Sequence, residues 1–143
     1  VQLKTTGTYY VKVEDSVDNT KIGEQLGIVV NPGVLDYFTL TGISSPMIAG
    51  DQHTVIATAF DANNNIKTDY VGTIAFTSDD PQVVLPANYT YLVGDAGVAT
   101  FTNAVELRTT GTYFVRVEDT LDGTKYGEQT GLFVNPAAID HFT

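Results

Sequence analysis

The sequence has no cysteine and no tryptophan, one methionine, two histidines, and only seven lysines and arginines against 17 aspartates and glutamates. Each shortage closes off a class of function. Without cysteine there is no disulfide, no thiol nucleophile and no thiolate metal site, and the absence leans toward an extracellular location. A formal net charge of −10 leaves little basic surface for phosphate contacts, so nucleic acid is disfavoured as a partner. No run reaches the roughly 18 apolar residues that a spanning helix needs, so no membrane span is expected. No segment keeps a helical period of apolar residues. With only His53 and His141 to serve as base, a nucleophile–histidine–acid arrangement has little to draw on.

What the sequence does contain is a copy of itself. Residues 1–39, VQLKTTGTYYVKVEDSVDNTKIGEQLGIVVNPGVLDYFT, align without a gap on residues 105–143, VELRTTGTYFVRVEDTLDGTKYGEQTGLFVNPAAIDHFT. About 24 of the 39 aligned positions are identical, and the offset sets a period of roughly 104 residues, the size of one domain. The changes are mild: Lys4 becomes Arg108, Tyr10 becomes Phe114, Lys12 becomes Arg116. Residues 1–35 therefore read as the C-terminal half of one unit, 36–139 as a complete unit, and 140–143 as the first strand of the next. Half a β-sandwich exposes sheet edges and a core face. The first half is accordingly expected to be completed by a neighbouring copy or by further chain.

The local pattern is that of strands. Val, Thr, Tyr, Phe and Ile dominate, and they alternate. In Gly111 to Asp119, Tyr113, Val115 and Val117 fall on one face and Phe114, Arg116 and Glu118 on the other, as Tyr9, Val11 and Val13 do opposite Tyr10, Lys12 and Glu14. Further strands are expected at Asp36 to Ile43, Gln52 to Asp61, Gly72 to Ser78, Val83 to Leu85, Tyr89 to Leu92, Gly97 to Leu107 and Gly127 to Val134. Asn103–Ala104 marks a bend or bulge. Turn signals separate them at residues 61–65, 79–81, 94–97 and 122–123. Seven or so short strands at this spacing point to an all-β, two-sheet sandwich. Asn31–Pro32 and Asn135–Pro136 sit at equivalent places near the unit boundary, and a short proline-containing link predicts a semi-rigid rod.

The run DANNNIKTDYVGTIAFTSDDPQVVLPANYTYLVGDAGVATF, with GTYFVRVEDT and GLFVNPAAIDHF after it, resembles the immunoglobulin-like repeats of very large bacterial and archaeal surface proteins, akin to those of invasin and intimin stalks. The resemblance covers nearly the whole chain. It implies an immunoglobulin-like β-sandwich repeated in tandem, of the kind found in stalks, adhesins and surface layers. The Asp-x-x-Gly-Asn turn usual in such repeats is here Asp61-Ala62-Asn63-Asn64-Asn65. Asparagine tolerates the left-handed conformation that glycine would supply, so the turn is expected to persist.

Acidic loops make calcium the candidate ion, since it takes six to eight oxygens from carboxylates and turn carbonyls. Three groups qualify: Glu118, Asp119 and Asp122, repeated as Glu14, Asp15 and Asp18; the loop of Asp61, Asn63, Asn65 and Asp69; and the pair Asp79 and Asp80. None has the spacing of an EF-hand loop, and the same residues equally suit hydrogen bonding to turn backbone. Asn88-Tyr89-Thr90 is an N-glycosylation triplet in an expected loop. Paired carboxylates lie at strand ends rather than across a cleft, so no enzyme is expected. His53, at the start of a strand, is expected to be exposed. The expected function is a structural repeat of an extracellular cell-surface, filament or sheath protein, partnered by neighbouring copies of itself. The alternative is an adhesin or carbohydrate-binding module whose loops hold surface glycans.

Overall fold

A computed structural model describes residues 1–139; the expected strand at 140–143, and His141 within it, lie outside the described residues. Among these the chain is all-β. Its ten strands are β1 (Gly7–Glu14), β2 (Ile22–Val30), β3 (Leu35–Thr41), β4 (Met47–Ile48), β5 (Gln52–Asp61), β6 (Thr73–Ser78), β7 (Tyr89–Thr90), β8 (Val98–Glu106), β9 (Gly111–Asp119) and β10 (Tyr126–Asn135), with one 3-10 turn at Val93–Asp95. They form three sheets: β1–β2 alone, β4–β10–β9–β6–β7, and β3–β5–β8. All pairings are antiparallel except the short β4–β10 contact, which is parallel.

The five-stranded and three-stranded sheets share one core, in a sandwich-like arrangement. Their alternation supplies it. β5 turns His53, Val55, Ala57, Ala59 and Asp61 inward, β9 turns Val115, Val117 and Asp119 inward, and β3 contributes Phe38 and Leu40. Rings run through the centre in edge-on contacts from Phe38 to Tyr70, Tyr91, Tyr89, Phe101 and Phe76, with centroids 4.9–5.7 Å apart. Buried tyrosines need a partner for the hydroxyl. Tyr91 donates to the Ala57 carbonyl at 2.8 Å and Tyr70 to Asp119 Oδ2. Where β10 crosses β3, a Cβ on Gly127 would lie 2.2 Å from the Phe38 carbonyl oxygen, so only glycine permits the approach.

Several local expectations are met at residue level. Asn64 adopts φ 62 at the position where glycine is usual. Asn103, at φ 50, sits in the register shift between β5 and β8. Others are corrected. His53 is buried, 8% exposed, rather than on the surface. It lies on the same alternating row as Val55 and Ala57, and its Nε2 has no hydrogen-bond partner among the described residues. Val83 to Leu85 is not a strand but a single bridge from Val84 to Glu106, because Pro81 and Pro86 flank it and deny it ladder bonds. β4 carries too short an apolar pattern to be read from sequence and exists because β10 offers it an edge.

Candidate inter-repeat joint

The isolated hairpin β1–β2 reaches the sandwich through residues 31–34, and one loop meets it. That loop is residues 61–65. Asp61 closes the inward row of β5, so its carboxylate is fixed by the core strand behind it and is 1% exposed. Oδ1 accepts the Asn63 N–H at 2.8 Å and the Asn65 N–H at 2.9 Å, which shapes the turn. Oδ2 accepts the Asn65 side-chain amide at 2.9 Å. It also accepts the Gly33 N–H, from the linker, at 2.7 Å.

Asn65, thus oriented and itself buried, reaches back to the hairpin. Its Nδ2 donates to the Lys4 carbonyl at 2.7 Å, and its Oδ1 accepts the Thr6 N–H at 3.0 Å. An amide can donate and accept side by side in one plane, as Asn65 does here; an ionised carboxylate only accepts. Three hydrogen bonds therefore tie the loop to the first hairpin and its linker, all to backbone groups. The Tyr37 hydroxyl donates to Asn64 Oδ1 at 2.9 Å and steadies the outer side of the loop. The Asn65 amide and the Gly33 N–H outweigh burial and hold the Asp61 carboxyl far below the usual carboxylate range.

The structure distributes the proposed ion ligands differently from a single cage. Asp61 is engaged in the joint, and Asn63 contributes its backbone N–H to the turn. Asp69 faces Lys67 Nζ at 2.8 Å, whose hydrogen bond lowers its carboxyl pKa. In the other group, Asp119 Oδ1 accepts the N–H groups of Leu121 and Asp122, its Oδ2 takes the Tyr70 hydroxyl, and Asp122 accepts from Thr124. Glu118 lies on the outward row of β9. Among the described residues no three His, Asp or Glu side chains converge as a metal site. Asn88 is exposed just before β7.

Other residues shape the corners of the sandwich. Asp80, buried, accepts the N–H groups of Gln82, Arg108 and Thr109 and so ties the end of β6 to the entry of β9. Tyr9 and Tyr113 each fold back on the residue three before: Tyr9 Oη donates to the Thr6 carbonyl and Tyr113 Oη to the Thr110 carbonyl, both at 3.1 Å. The signal for this corner was the run Thr-Thr-Gly-Thr-Tyr, unchanged between the two copies. No helix among the described residues is long and apolar enough to cross a membrane. Comparison with family models, with curated proteins and with solved structures gave no match to the chain.

Proposed function

We propose that this chain is a tandem immunoglobulin-like repeat of a large extracellular surface or filament-forming protein, working as a semi-rigid stalk or fibre unit. The strand order supports the immunoglobulin-like part of the reading. β3–β5–β8 corresponds to strands A, B and E of such a domain, and β6–β9–β10 to C, F and G. Val115, fully buried two residues after Tyr113, has the spacing from the corner tyrosine that the strand-F cysteine takes in antibody domains. Tyr113, at the start of F with its hydroxyl on upstream backbone, matches the tyrosine corner of that fold. Gly111 makes the corner possible, since its φ is 145 and a Cβ there would meet the Tyr113 hydroxyl at 2.9 Å.

The stalk reading is carried by one observation: the loop of Asp61 and Asn65 grips backbone just before the first hairpin and backbone of the short linker that follows it. Mere tethering would leave adjacent units free to swivel. Three hydrogen bonds anchored in a core strand give the joint a preferred angle, and a row of such joints gives a rod. The acidic composition and lack of cysteine suit an extracellular array whose partners are its own neighbouring copies. The test is the shape of chains carrying increasing numbers of units. Contour length in electron micrographs should rise in proportion to unit number with little bending at the joints. Beads that swivel freely, or a saturable glycan ligand with no extended form, would contradict the stalk.

A further inference from the structure

The joint shows only one side of each unit in use, and the repeat says what the other side does. We infer that Arg108, Thr110 and Ala137 form a second, vacant receiving face, built to take Asp61 and Asn65 of a following copy of the unit. This deepens the stalk reading and rests on it.

The period of roughly 104 residues lays Lys4 on Arg108, Thr6 on Thr110 and Gly33 on Ala137. The gripped groups are the Lys4 carbonyl, the Thr6 N–H and the Gly33 N–H, all backbone, so the change from Lys4 to Arg108 leaves the chemistry intact. The change from Gly33 to Ala137 fits as well. A Cβ placed on Gly33 lies 3.4 Å from Asp61 Oδ2 and 3.6 Å from its Cβ, which is van der Waals contact rather than collision. The backbone that presents these groups is already set: both corners carry glycine at φ 145 and both tyrosines bond the carbonyl three residues back at 3.1 Å.

Coverage differs in the direction the inference requires. The first hairpin is generally the more exposed of the two, and Lys4 and Gly33 are exposed as Arg108 and Ala137 are, yet two positions at the joint run the other way. Thr6 and Pro32 are half-buried, whereas Thr110 and Pro136 are exposed. Among the described residues the Arg108 carbonyl and the Thr110 and Ala137 N–H groups have no protein partner. The Arg108 N–H, by contrast, is taken by Asp80 at 2.7 Å. The partner must be a unit whose loop is unoccupied. In the chain itself Asp61 and Asn65 are already filled by its own first hairpin, so a continuing repeat is the occupant, not a second intact chain docking from solution.

The experiment extends the full chain with a second copy of residues 40–143, which keeps the repeat in register, and measures amide hydrogen exchange by NMR. The Thr110 and Ala137 amides should exchange at least about tenfold more slowly than in the unextended chain. Asn65→Ala in the added copy should abolish the Thr110 protection, with slow exchange at Val55 of that copy reporting that it still folds. Ala137→Pro, which removes one receiving N–H outside either core, should weaken Thr110 protection without touching the added copy. Equal Thr110 exchange in extended and unextended chains overturns the inference, as does protection indifferent to both variants. X-ray scattering on the same samples separates the two readings. An extended rod with unprotected Thr110 sinks the clasp and leaves the stalk standing; protected Thr110 in a freely hinged chain upholds the clasp and sinks the stalk.

Discussion

The chain holds two hairpins of nearly the same sequence in different surroundings. β1–β2 and β9–β10 share their register, Gly7 opposite Val30 and Gly111 opposite Val134, and the same bulge around a left-handed glycine, Gly27 in one and Gly131 in the other. Their connecting turns are alike too: Asp15 accepts the N–H groups of Val17 and Asp18, as Asp119 does those of Leu121 and Asp122. What differs is everything the rest of a unit supplies. Val117 is fully buried and Val13 is 71% exposed. Gln129 clamps the backbone of Ile43 through both ends of its amide, at 3.0 and 3.1 Å, whereas Gln25 lies exposed. Asp119 is sealed under Tyr70, while Asp15 is exposed. The lesson is that hairpin, bulge and turn are local products of this sequence, and burial is lent by the other sheet.

Matched substitutions can break that comparison. The largest gap is expected between Val117→Ala and Val13→Ala. The first deletes two buried carbons and should cost about 2–3 kcal/mol, the second under about 0.5 kcal/mol, both read from urea unfolding. Equal costs would mean that the first hairpin is covered after all. Next comes Tyr70→Phe, which strips Asp119 of its buried hydroxyl donor and makes it resemble Asp15. A loss of about 1–2 kcal/mol in the same assay is expected, and no loss would show that the contact contributes nothing net.

Smaller effects sharpen the picture at the joint. Asn64→Ala should cost about 1 kcal/mol, since alanine resists the left-handed backbone, while Asn64→Gly should lie near zero despite losing the Tyr37 bond. A costlier glycine variant would give the Tyr37 contact more weight than the backbone. The least effect at ordinary pH concerns Asp61. Its folded pKa is depressed, so its contribution is complete above the unfolded value of roughly 4 and is lost as pH falls through the folded value below that. Thr6 amide protection should therefore hold from pH 7 to about 5, decline only in stronger acid, and become insensitive to acid in Asp61→Asn. A decline already above pH 5 would assign the joint to another group.

Much of this was legible beforehand because alternation and turn chemistry are short-range. The inward rows of β5, β6 and β9, the bulge at Asn103 and the left-handed Asn64 all follow from neighbours a few residues away. His53 was misjudged although period-two counting puts it on the inward row with Val55, because a histidine at the start of a strand is more often on the surface. Asp61, Asn63 and Asp69 read from the sequence as candidate ion ligands, and only the fold shows their protein partners: Asp61 accepts from its own turn and from Gly33, and Asp69 pairs with Lys67.

By itself the sequence determined the strands, the period and the hairpin that both copies form, since each depends on residues adjacent in the chain or one tight turn apart. Only the tertiary structure decided which copy is buried, which carboxylate is capped by Tyr70 and where Asn65 reaches, because those contacts join residues up to 61 positions apart. A hydrogen bond across that span is chosen by where the sheets bring the chain, and an amide side chain carries no mark of the backbone it will meet.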